Sequence, residues 1–144
     1  MLNFEQVLND IENLLFGKQL QPINPATPPL CIISIDRENG KYKVSSNSET
    51  KTRSLSELEA IFANLNIRGF CNVEQVLYGS SSSRNQPETI FANLPYIQHF
   101  KYEKKKHLLL RNHNVHDAAT LSEIQGSEFR TIRKKIDNFL KLNL

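Results

Sequence analysis

The residues with the most chemical potential lie between Gly79 and Arg111. Gly79-Ser80-Ser81-Ser82-Ser83-Arg84 offers four hydroxyls and a guanidinium but no apolar side chain, so it buries little and reads as a surface loop. Asn85-Gln86-Pro87-Glu88 then has the pattern of a helix start. Asn85 can accept from the N–H three residues on, Pro87 suits the first turn, and Glu88 completes an Asn-x-x-Glu capping box. Unpaired N–H groups and the macrodipole favour negative charge at such a terminus, so Ser81, Ser82, Ser83, Arg84 and Asn85 form a candidate phosphate site. The competing role is self-capping, with Glu88 repelling any incoming anion.

Downstream, Tyr96 to Tyr102 and Lys106 to Arg111 read as two strands joined through Glu103-Lys104-Lys105. Alternation places Tyr96, Gln98, Phe100 and Tyr102 on one face, and Ile97, His99 and Lys101 on the other. Lys101, Lys104, Lys105, Lys106, His107 and Arg111 interleave with Tyr96, Phe100 and Tyr102, a mixture that suits nucleic acid. Cations there meet phosphates, and rings stack on bases. Lysines on a strand also serve the plainer purpose of protecting an exposed edge from mispairing.

Other reactive groups are less organised. His107, His113 and His116, with Asp117, are spaced across a strand end and a loop in a way that does not bring three ligands to one side. Asp36 and Glu38 flank an Asn-Gly turn, where solvation of the turn accounts for their charge. Cys31 and Cys71 have no CxxC partner and read as small buried apolar residues. Phosphate-binding, dinucleotide-binding, α/β-hydrolase and zinc-protease motifs are all missing. Neither a cofactor nor a metal is expected.

The elements that must hold these residues are legible to different degrees. Phe4, Val7, Leu8, Ile11, Leu14 and Leu15 recur at three-and-four spacing behind Asn3 and ahead of Gly17, which predicts an amphipathic helix over 3–16. Four prolines between Lys18 and Pro29 make an extended connector. Leu30 to Ile35, the Asn39-Gly40 turn and Lys41 to Val44 form a hairpin, and Ser45 to Thr52 reads as a loose polar segment. Ser54-x-x-Glu57 is a second capping box, opening a helix through Leu65. Short helices follow over 72–78 and from Asn85 to about Asn93. Phe129, Ile132, Ile136, Phe139 and Leu140 line a helix over 127–141, with Arg130, Arg133, Lys134 and Lys141 off its apolar face. Glu59 to Leu65 and Glu88 to Leu94 share six of seven residues, which reads as two helices ending alike in one core.

With 144 residues the chain is long enough for one domain, and too short for two comfortable ones. The reading is α+β: a small, mainly antiparallel sheet from hairpins near 30–44 and 96–111, covered by three or four helices. No stretch has the length of a membrane span and the N-terminus lacks a secretory pattern, so a cytoplasmic location is expected. Residues 1–72 carry seven Lys and Arg against eight Asp and Glu, and residues 73–144 carry eleven against seven. A polyanionic partner, DNA or RNA, would therefore dock on the second half. Arg130, Arg133 and Lys134 add to that field. Two other readings compete: a protein-interaction module using helix 3–16 or the 96–111 edge, and a metal-dependent phosphoester hydrolase using Asp36, Glu38, His113 or His116.

Overall fold

A computed structural model describes residues 2–79 and 83–142. The first helix, α1 (Phe4–Asp10), is opened by a reciprocal box in which Asn3 Oδ1 accepts from Gln6 N at 2.9 Å and Gln6 Oε1 accepts from Asn3 N at 2.8 Å. It runs on into a π-helical turn, Ile11–Leu15. Val7, Leu8, Ile11 and Leu15 are all buried, so the apolar stripe faces this chain's own core. The proline-rich connector is a closed loop, pinned at its neck by paired backbone hydrogen bonds between Leu20 and Leu30 at 2.7 and 2.9 Å.

Next comes an antiparallel meander of β1 (Cys31–Asp36), β2 (Lys41–Ser46) and β3 (Glu49–Ser54). The segment read as loose is thus largely a strand, whose side chains are exposed through Thr52. Helix α2 (Leu55–Arg68) ends at Gly69, whose φ of 84° is the left-handed conformation a helix stop requires. The chain continues through β4 (Phe70–Cys71), α3 (Val73–Val76), α4 (Asn85–Ala92), β5 (Ile97–Tyr102), β6 (Lys105–Leu110) and α5 (Gly126–Leu142).

The class is α+β, with two three-stranded antiparallel sheets, β1-β2-β3 and β4-β6-β5. Each predicted hairpin builds its own sheet instead of sharing one. A single apolar cluster joins them, taking Ile32, Tyr42 and Val44 from the first and Ile97 and Leu108 from the second. The repeated Ile-Phe-x-x-Leu sets both enter this cluster: Ile61, Phe62 and Leu65 from α2, and Ile90, Phe91 and Leu94 at the end of α4.

The second sheet is covered on both faces. Ile97 and Leu108 point into the main core, while Phe100 and Leu109, on alternate positions, point to α5 and pack with Phe70, Ile124, Ile132 and Ile136. Helix α5 is therefore the lid of a second, smaller core. Backbone bonds from His99 N to Ser122 O and from Ile124 N to His99 O, each 2.9 Å, cover the outer edge of β5 at its middle. No helix among the described residues is long and apolar enough to cross a membrane.

Candidate functional site

The tip of the β5–β6 hairpin is a two-residue turn, Glu103-Lys104, with both residues at positive φ (51° and 67°). Turns of this hand match the twist of the strands but normally use Asn or Gly, so Glu and Lys here carry backbone strain. The turn projects Lys104 beyond the sheet. Lys101, Lys104 and Lys105 are exposed and make no ion pair among the described residues. Strand alternation sends Lys101 and Lys106 to one face, and Lys105 and His107 to the other.

Lys106 is different in kind. Its Nζ lies 3.0 Å from Glu88 Oε1, and Glu88 is only 3% exposed. Burial raises the Glu88 carboxyl above its ordinary range, Lys106 opposes that shift, and the Glu74 charge adds to it. The Asn85–Glu88 capping box is consequently not made. Helix α4 is entered from Arg84 without a side-chain cap, and Glu88 turns inward to Lys106. A buried carboxylate in the first turn opposes an anion at that terminus.

Arg84 nevertheless meets the hairpin. Ser83, Arg84, Asn85 and Lys106 line one polar cavity of about 240 Å³ together with Glu74 and Glu88. Lys101, Lys104, Lys105 and Lys106 line a second of about 440 Å³, again with Glu74. A third cleft of about 490 Å³ lies on the α5 face and takes Arg84, Lys105 and His107 into one wall. Ser83, Arg84 and Asn85 thus share cavities with the hairpin; Ser81 and Ser82 lie outside the described residues.

His107 is buried, stacked on Phe100 at 5.4 Å between ring centres and set edge-on to Tyr102 at 5.6 Å. Its Nδ1 is 2.9 Å from Lys105 O, which can only accept, so Nδ1 carries the proton. Burial lowers its pKa, the bond to Lys105 O opposes that shift, and the charges of Arg68 and Lys105 add to it, leaving a neutral ring as part of the packing.

The remaining predicted residues divide. Arg133 lies 3.5 Å from Glu103, which brings the middle of α5 beside the hairpin tip, and Arg130 and Lys134 are exposed on the same helix. Arg111 is not brought to the tip. It sits at the opposite end of β6, where its Nε donates to Gln98 Oε1 at 2.7 Å and Nη2 pairs with Glu128. Those bonds fasten the end of β6 to β5 and to the start of α5.

Two contributors escaped the sequence reading. Arg68 ends α2 as an apparent dipole partner, yet its guanidinium lies 4.6 Å over the Phe70 ring and 5.3 Å from that of Phe139. Tyr78, 88% exposed before Gly79, stands at the rim of the third cleft. Its signal was an aromatic residue beside a glycine, which is weak.

The groups named for hydrolysis are used structurally. Asp36 accepts from Asn39 N at 3.1 Å and from Asn39 Nδ2 at 2.8 Å, bonds that also lower its pKa. His116 bonds Ile97 O at 2.6 Å, and His113 bonds its neighbour Asn112. No group of three or more His, Cys, Asp or Glu side chains suited to a metal ion occurs among the described residues. Comparisons with protein-family models, with curated proteins and with solved structures found no match for this chain.

Proposed function

We propose that the protein binds nucleic acid through the face formed by the β5–β6 hairpin tip, Arg84 and the outer side of α5. The observation that carries this reading is the convergence of Arg84 and Lys105 on one cleft, beside Lys101 and Lys104, none of which forms an ion pair among the described residues. Surface lysines that only protect an edge need no such convergence, and the β5 edge is already covered at its middle. Exposed cations supply the sequence-independent attraction to phosphates; the neighbouring rings of Tyr78 and Tyr102 supply surfaces on which bases can stack.

The interaction-module reading has less support, because the apolar stripe of α1 is spent on the core. Fluorescence anisotropy with labelled DNA and RNA oligonucleotides over a salt series tests the proposal. Log affinity should fall linearly with log salt concentration. Absence of binding at low salt, or binding indifferent to salt, overturns it.

A further inference from the structure

We infer that the cleft on the α5 face receives one unpaired nucleobase, so that the protein prefers unpaired nucleotides over a continuous duplex. The inference rests on the nucleic-acid reading and deepens it. The cleft's volume of about 490 Å³ is in the range of small-ligand sites, ample for one nucleoside unit. The cleft lies between α3, the hairpin and the C-terminal half of α5, with Arg84 and Lys105 among its lining residues.

Its lining is planar and cationic. Tyr78 projects from the rim with its ring almost fully in solvent, where both faces are free to stack on a base. Tyr102 forms a wall, fixed by the bond from its hydroxyl to Asp137, and Ile136 and Leu140 close the α5 side.

Arg68 gives the cleft its chemistry. Its Nε is buried without a hydrogen-bond partner among the described residues, and Nη1 reaches only Asn64 Oδ1 at 3.5 Å. A guanidinium has donors and no acceptor, and with that one long bond its Nη groups keep donors to spare. A base edge carrying a ring nitrogen or carbonyl can accept from the Nη groups, the enclosed Nε being out of its reach, while its π face meets Tyr78 or Tyr102. Arg84, whose Nη1 donates to Glu74 O at 3.2 Å, and Lys105 line the same cleft and supply cations for the phosphates that flank that nucleotide. Glu74 and Glu103 also line the cleft, and Glu103 is engaged by Arg133. With Arg68 included, cations outnumber carboxylates there.

A paired base inside a stack presents no free face, so it would have to be extruded at a cost of a few kcal/mol. Unpaired bases avoid that cost. The test compares four dye-labelled DNA probes by anisotropy at one salt concentration: a single strand, its perfect duplex, the duplex with one bulged nucleotide, and the same bulge made abasic. The single strand and the bulge should bind at least roughly tenfold tighter than the perfect duplex, and the abasic bulge should lose that gain.

Tyr78→Ala should abolish the preference, and Tyr78→Phe should keep it. Both leave the salt dependence unchanged, since the phosphate contacts remain. Because Tyr78 packs against almost nothing, neither variant threatens folding, and unfolding curves would verify this. Equal affinity for all four probes, or a preference that survives Tyr78→Ala, overturns the base pocket while leaving the phosphate-binding face intact. Failure of every probe to bind at low salt overturns both.

Discussion

The side chains that decide this fold are its inward-facing charges. Arg53 is 5% exposed on β3, and its Nε and Nη2 each donate to the Glu57 carboxylate at 2.7 Å, with Nη1 reaching Gln86 Oε1 at 3.1 Å. Tyr42 also donates to Glu57, at 3.1 Å. This is why the Ser54-x-x-Glu57 sequence fails to close a capping box: Ser54 Oγ accepts from Ser56 N at 3.2 Å and bonds Ser56 Oγ at 2.7 Å, while the Glu57 carboxylate is held by Arg53 and Tyr42. A cap is worth about 1 kcal/mol, whereas leaving one member of a buried ion pair alone costs roughly 3–5. Glu57→Gln should therefore destabilise the protein by about 3 kcal/mol, read as a lower urea midpoint with an unchanged slope. His107 sets a second expectation. Its folded pKa lies below the unfolded value of 6.5, so the unfolded chain binds the proton more readily. His99 is buried and shifted the same way, chiefly by desolvation. Stability from both is complete above pH 6.5 and is lost as pH falls through their folded values. Glu88, raised from 4.5, acts oppositely and favours the folded state at the acid end of that window. Replacing His107 by Phe, which preserves the ring on Phe100, should flatten the decline of the melting temperature below pH 6.5.

Among the elements, those with strong periodicity were legible and those defined by long-range partners were not. The spacing from Phe4 to Leu15 and the Asn39-Gly40 turn specify their elements locally, and α1 and the β1–β2 hairpin stand where the pattern puts them. β3 was hidden because Glu49-Thr50-Lys51-Thr52 has no apolar alternation; pairing with β2 along its whole length makes it a strand. The missing cap of α4 has the same origin, since the partner that draws Glu88 away, Lys106, is 18 residues distant. Helix α5 shows how little apolar contact suffices to seat an element. Only Ile132 and Ile136 are fully buried along it, with Phe129 and Phe139 packed beside them. Ile132→Ala should thus cost about 2–4 kcal/mol and loosen α5 as a unit. Amide hydrogen exchange would show this as faster exchange in α5 and along β5, with α1 and α2 protected as before.

At the scale of the whole molecule, charge is divided by cation partner more than by sequence half. The sequence showed that the positive excess lies after residue 72, but not which cations are occupied: occupancy depends on contacts such as Arg111 with Glu128, 17 residues on. Nor did it show Arg68, since a helix-ending arginine looks the same whether it faces solvent or two aromatic rings. Exposed cations act on a polyanion through the field they sum to, and a cation already bonded to a carboxylate adds little to that sum. Lys104 and Lys105 are unpaired at the tip; Arg111 is paired at the far end of the same strand. Reversing the first two, in Lys104→Glu/Lys105→Glu, should weaken DNA binding by at least about tenfold at low salt and reduce the slope of log affinity against log salt by about two. Arg111→Gln should leave both affinity and slope within error and lower stability instead, because what it loses is the fastening of β6 to α5. Anisotropy and urea unfolding on the same two preparations separate these outcomes. Losses of log affinity in proportion to the charge removed, four units in the first variant and one in the second, would mean that net charge alone drives binding, with no localised face.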